Sequence, residues 1–163
     1  MKNRSDLYLQ SKFLETCFIE IDKTSLQSDC DVIVGAIYRP PGMEITNFID
    51  CLRPIIEQIS SESKLAYLIG DYNINLLNKE FHQPTTQFID FMFSSSYLPL
   101  ITKPTRITNS NATLIDNIWT NDLNMATKKY TGIFYADISD HLPIFCFESK
   151  LKPRTKNDFL NAE

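Results

Sequence analysis

The sequence predicts an α+β domain in which helices pack outside a mixed sheet. Three observations lead there. Aromatic residues make up 12% of the chain, with eleven Phe and seven Tyr, which favours sheet packing over a helical bundle. "CDVIVGAIY" is an unbroken apolar, β-branched run of the kind that forms a strand buried on both faces. From Ile45 the apolar period becomes helical, and it returns to strand-like at Lys64, so strands and helices interleave.

The first strand is "FLETCFIEI", Phe13–Ile21, and "DKTSLQSD" breaks it with turn formers. "CDVIVGAIY", Cys30–Tyr38, follows as its antiparallel neighbour and as a central strand. "RPPGM" stops that strand, because two prolines remove donors and fix the backbone. Ile45, Phe48, Ile49, Leu52, Ile56 and Ile59 recur at helical spacing, with Thr46 or Asn47 as the cap. Pro54 stands inside this helix, so a kink is expected near Asp50–Pro54. "KLAYLIG", Lys64–Gly70, is a short buried strand and "DYNINLLN" a loop. "PTTQFIDFMFSS" is a second helix, with Pro84 near its start and Phe88, Phe91 and Met92 on its core face. "LPLI", Leu98–Ile101, is a brief strand and "TKPTRITNSNA" a loop. "TLIDNIWT", Thr113–Thr120, sets Leu114, Asp116 and Ile118 on one face against Ile115, Asn117 and Trp119, with Trp119 read as packing. "YTGIFYA" and "LPIFCFES" complete the order ββαβαββββ. Residues 1–12 read as a lead, 13–149 as the domain and 150–163 as a loose tail.

The bulk numbers bound the function. At 163 residues, 43% apolar and 22% charged, the chain suits one globular domain. A net charge of −4 encodes no general attraction to nucleic acid, so a polyanion needs a local site. Cys17, Cys30, Cys51 and Cys146 form no CxxC pair, which argues against zinc and for buried free thiols in a reducing compartment. No secretion signal or long apolar span is present, so a soluble intracellular protein is expected.

The polar residues gather at the strand ends. Tyr38 and Arg39 close one strand, Asp71 and Asn73 follow another in "LIGDYNIN", and Asp116 lies inside "TLIDNIW". "YADISDHLPIF" then sets Asp137, Asp140 and His141 just before the last strand. Taken singly, each has an ordinary explanation: an Asx turn for Asp71 and Asn73, a buried structural bond for Asp116, a satisfied histidine, a packing tyrosine. Taken together, carboxylates that meet at one edge repel, and a proton or a divalent cation must relieve them. With an imidazole, an amide and a phenol, this is apparatus for attack of water on a phosphodiester. Lys103 and Arg106 of "KPTRIT", with Arg39, are candidate phosphate contacts.

"IGDYN", "TLIDNIW" and "SDHLPI", in that order, resemble the endonuclease/exonuclease/phosphatase superfamily of DNase-I-like phosphodiesterases. "AIYRPPG" and "ITKPTRIT" narrow the resemblance to the apurinic-type endonuclease domain of non-LTR retrotransposons, encoded upstream of their reverse transcriptase. It covers about Phe13 to Phe147. It implies a DNase-I-like sandwich of two sheets flanked by helices, Mg²⁺ or Mn²⁺ as cofactor and DNA as substrate. A reverse transcriptase region of the same element would be a partner, no membrane would be involved, and activity on chromosomal DNA would place the protein in the nucleus. Asp71 would orient or deprotonate the attacking water, and Asn73 would position it. Tyr38 would contact the scissile phosphate or leaving group. Asp116 would hold His141, which binds a phosphate oxygen. Asp140 would lie close to the metal, and Thr113 would help hold the constellation.

Members of that family carry, ahead of the region matching Phe13, a segment with an Asn and a metal-binding Glu. The expectation is therefore a domain lacking its N-terminal strands, with weakened metal binding and doubtful activity. The alternative is an inactive remnant acting as a nucleic-acid or protein interaction module. A third reading keeps the superfamily and changes the substrate to a phosphoinositide or sphingolipid. The lack of a membrane-facing apolar or basic stretch argues against it.

Overall fold

The structure is a computed structural model that describes residues 1–26, 30–123, 127–136 and 138–150. Its strands are β1 (Lys2–Asn3), β2 (Glu15–Ile21), β3 (Val32–Tyr38), β4 (Leu65–Asp71), β5 (Leu98–Pro99), β6 (Arg106–Ile107), β7 (Ala112–Thr113), β8 (Asp116–Thr120), β9 (Thr127–Ile133) and β10 (Ile144–Lys150). The helices are a single turn, α1 (Lys23–Leu26), and two longer elements, α2 (Ile45–Ser61) and α3 (Gln83–Ser94). Six strands make one mixed sheet in the order β1-β2-β3-β4-β8-β5. Only β3 and β4 run parallel, because α2 carries the chain back between them. β9 pairs with β10, and β6 with β7, in two separate ribbons.

One face of the sheet meets the helices. Phe18, Ile33, Ile37, Ala66, Leu68 and Trp119 pack there against Phe48, Leu52 and Ile56 of α2 and Phe88 and Met92 of α3. Phe88 lies edge-on to Trp119 at 5.5 Å between ring centroids. On the opposite face, Ile101, Leu114 and Ile118 pack with Ile133, Ile144 and Cys146 of the β9–β10 ribbon. Helices, sheet and ribbon form three layers, the α+β arrangement expected. The ribbon covers only part of its face. At Cys17, Ala36 and Ile69, cross-strand partners on that same face, side chains remain exposed.

Several details differ from expectation. α2 continues across Pro54, the position where a kink is expected. Asp50, whose carbonyl loses its N–H partner there, is exposed, as is Pro54, so water can take that bond. Neither Thr46 nor Asn47 caps the helix; Glu44 holds that position without a side-chain bond. The loop after Lys103 contains the β6–β7 hairpin, whose two-residue strands have no readable period. Cys17 is exposed and the other cysteines are half-buried, so none is fully buried, contrary to expectation. The first twelve residues, expected as a lead, contribute β1, which pairs with β2, and Leu7, which joins the core. The expected tail lies, beyond Lys150, outside the described residues, as does Asp137.

Candidate active site at the strand ends

Sheet register builds the site. Tyr38 at the end of β3 pairs with Asp71 at the end of β4, and Asp71 pairs with Asp116 at the start of β8. Partners across a ladder project to the same face, so a phenol and two carboxylates stand side by side. They lie beyond the carboxyl ends of the two parallel strands, where open sheets bind ligands. Tyr38 is 41% exposed.

The chain turns sharply after Asp71. Asn73 adopts φ 47°, a left-handed conformation that Asn tolerates better than most residues. Its N–H donates to Asp71 Oδ1 at 2.9 Å, and its Nδ2 donates to Asp71 Oδ2 at 3.2 Å. The Asx turn and the candidate cluster thus share the same residues. The turn holds the Asp71 carboxylate where it faces Asp116.

His141 arrives from the segment leading into β10. The Ile107 N–H donates to the Asp140 carbonyl at 2.9 Å, and the Leu142 N–H donates to the Thr105 carbonyl at 2.7 Å. The imidazole Nδ1 lies 3.2 and 3.1 Å from the two oxygens of Asp116. Asp116 engages Nδ1, which leaves Nε2 as the ring nitrogen that can meet a ligand. Asp71, Asp116 and His141 can offer one ligand atom each within 4.8 Å of one another. With Gly70 and Leu142 they line a cleft of about 310 Å³.

Burial pushes the Asp71 carboxyl above its usual value, and the Asp116 carboxylate adds to that. The Asn73 N–H, His141 and Arg106 pull the other way without cancelling it. Two facing carboxylates beside an imidazole suit a divalent cation. Their oxygens are hard donors, Mg²⁺ accepts one or two such groups with water, and Mn²⁺ also accepts imidazole.

The remaining candidates are placed as follows. Asp140 forms an ion pair with Arg106, 2.7 Å from its Nε, with both side chains 43% exposed. Its carboxyl is held below its usual value by that bond. Thr113 enters through its main chain, accepting the Thr105 N–H at 2.9 Å. Lys103 is exposed and lines a different cleft, with Thr131 and Ile133. Arg39 is 4% exposed and donates to main-chain carbonyls. Sequence reasoning missed Thr105. It is fully buried, and its Oγ1 accepts the N–H groups of Ile115 at 3.2 Å and Asp116 at 3.0 Å. It stands within "KPTRIT", but nothing local marks its hydroxyl as the acceptor that seats Asp116.

No protein-family model matches the chain, and no curated protein matches it. Solved structures do. The endonuclease domain of TRAS1, a telomere-specific non-LTR retrotransposon, superposes with a TM-score of 0.66 at 13% identity, over 93% of this chain and 68% of that one. An endonuclease/exonuclease/phosphatase family protein from Leptotrichia buccalis gives 0.58 at 13% identity, over 83% and 53%. A humanized D. rerio TDP2 gives 0.56 at 12% identity, over 84% and 61%. The chain has the DNase-I-like fold of the endonuclease/exonuclease/phosphatase superfamily, and it spans between about half and two-thirds of the length of these neighbours. Among the described residues, no helix is long and apolar enough to cross a membrane.

Proposed function

We propose that the chain is a phosphodiester-hydrolysing domain of the retrotransposon-endonuclease kind, acting on DNA with Mg²⁺ or Mn²⁺. One observation carries this reading: two carboxylates and an imidazole converge within 4.8 Å at the ends of parallel strands. The likeness to the TRAS1 endonuclease domain supports the choice of DNA; a reverse transcriptase region of the same element is the proposed partner and the nucleus the proposed location. A cation here would be held by the carboxylates of Asp71 and Asp116 beside His141, and would supply neutralisation of phosphate charge.

The chain's own groups do the rest. Asp71 and Asn73 orient the attacking water, and Asp71 takes its proton. Asp116 fixes the imidazole through Nδ1, so the far side of His141 meets a non-bridging phosphate oxygen. Tyr38, on the neighbouring strand, meets the phosphate or the leaving oxygen.

The test is nicking of supercoiled plasmid with Mg²⁺, Mn²⁺ or chelator. Cation-dependent nicking lost in His141→Ala supports the reading. DNA binding without nicking under every cation refutes it in favour of a binding module.

A further inference from the structure

Arg39 is a cation where a cation is costly. It directly follows β3 and is 4% exposed. Among the described residues it has no ion-pair partner within 4 Å. Its acceptors are carbonyls. Nη1 donates to the Asn73 carbonyl at 3.0 Å and, at a longer 3.4 Å, to that of Tyr72; Nη2 donates to the Met43 carbonyl. Its main chain engages the same turn from the other side. The Arg39 N–H donates to the Asp71 carbonyl at 3.0 Å, and the Arg39 carbonyl accepts from Asn73 Nδ2 at 2.8 Å.

Every residue of the Asp71–Asn73 turn is therefore gripped by Arg39. A buried cation with no ion pair is retained only where its hydrogen bonds and nearby carboxylates, here Asp71 and Glu44, offset the lost hydration. Asn tolerates φ 47°, and bonds from the surroundings hold that conformation here. The guanidinium fork spans two carbonyl-bearing segments at once through Nη1 and Nη2, while Nε has no hydrogen-bond partner among the described residues. An outward swing toward a substrate phosphate would leave those carbonyls without a donor.

We propose that Arg39 is a positioning residue: it locks the Asp71–Asn73 turn so that the Asp71 carboxylate and the Asn73 amide are held in reacting geometry. This rests on the reading of the site as hydrolytic. The Arg39 guanidinium is committed to main-chain carbonyls, so its loss lowers turnover and leaves substrate affinity in place.

The experiment compares Arg39→Lys and Arg39→Met in the full chain by plasmid-nicking kinetics and ¹⁵N spectra. In Arg39→Lys, kcat is expected to fall about 100-fold with KM changed less than about threefold, as for a misplaced reacting group. The Asn73 main-chain and side-chain amide resonances move and exchange faster while strand resonances stay. A raised KM at unchanged kcat would make Arg39 a phosphate contact and overturn the proposal. Unchanged kcat with unchanged Asn73 resonances would overturn it too. If Arg39→Met does not fold, Arg39→Lys decides. If the wild-type chain does not nick, the hydrolytic reading fails by itself. The Asn73 resonances then judge the lock: movement in Arg39→Lys supports it, and their persistence refutes it.

Discussion

Replacing Thr105 by Val removes one oxygen and keeps the side chain's shape. Thr105 is fully buried, and its Oγ1 accepts two main-chain N–H groups, from Ile115 and Asp116. Each N–H left without an acceptor costs about 1–3 kcal/mol. Because the two share a single oxygen, a combined loss of about 3 kcal/mol is expected. In a domain of this size that lowers Tm by about 6–12 °C. The start of β8 also loosens, so Asp116 and the imidazole it faces shift, and nicking should fall about 100-fold. Thr105→Ser keeps the hydroxyl and should lose only the packing of one methyl, about 1 kcal/mol. The assay is thermal unfolding of both variants with the wild type, alongside nicking kinetics. A valine variant within about 1 kcal/mol of wild type, or a serine variant as impaired as the valine, would refute the claim that this oxygen seats Asp116.

Arg4→Met should destabilise the fold by about 2–3 kcal/mol in denaturant titration, since the 3%-exposed guanidinium joins Asp6, Glu20 and Glu62 while part of that network is wet. The same network predicts acid sensitivity. Bonds from Arg4 hold Asp6 at about 2; a bond from Lys64, then one from Arg4, depresses Glu20, and a bond from Arg4, then one from Lys64, depresses Glu62, both below their ordinary 4.5. Depressed carboxyls stabilise above their unfolded values, so Tm should be level at neutral pH and fall from about pH 4.5 toward pH 2. Asp71 works in the opposite sense: its raised carboxyl favours the fold below its ordinary 3.8, and that support is lost as pH rises through the higher folded value. Asp71→Asn should therefore raise Tm at pH 7 in chelator, gain nothing below about pH 4, and abolish both nicking and any Tm increase from Mn²⁺. Gly70→Ala should cost more than about 3 kcal/mol, because a Cβ at that position would stand 1.7 Å from the Ile37 carbonyl oxygen and force β3 from β4. A soluble variant with wild-type unfolding would contradict the register at the site.

The sequence by itself determined the elements whose signal is local. β3 is legible as an apolar run and α2 as a 3.6-residue period, because burial on two faces or one stripe writes itself into neighbouring residues. Asp71, Asn73, Asp116 and His141 were legible as candidates because each stands in a short motif at a strand end. Tertiary structure alone decided what they meet. The Asp116–His141 contact joins residues 25 apart, and the Arg4–Glu62 pair joins residues 58 apart. Thr105 and Arg39 look from the chain like a loop hydroxyl and a phosphate-seeking cation; burial turns one into an acceptor for β8 and the other into a brace for a turn. Short windows of sequence carry periodicity and turn chemistry. Which atoms lie opposite a given side chain depends on strand order and register, and these emerge only when the whole sheet is assembled.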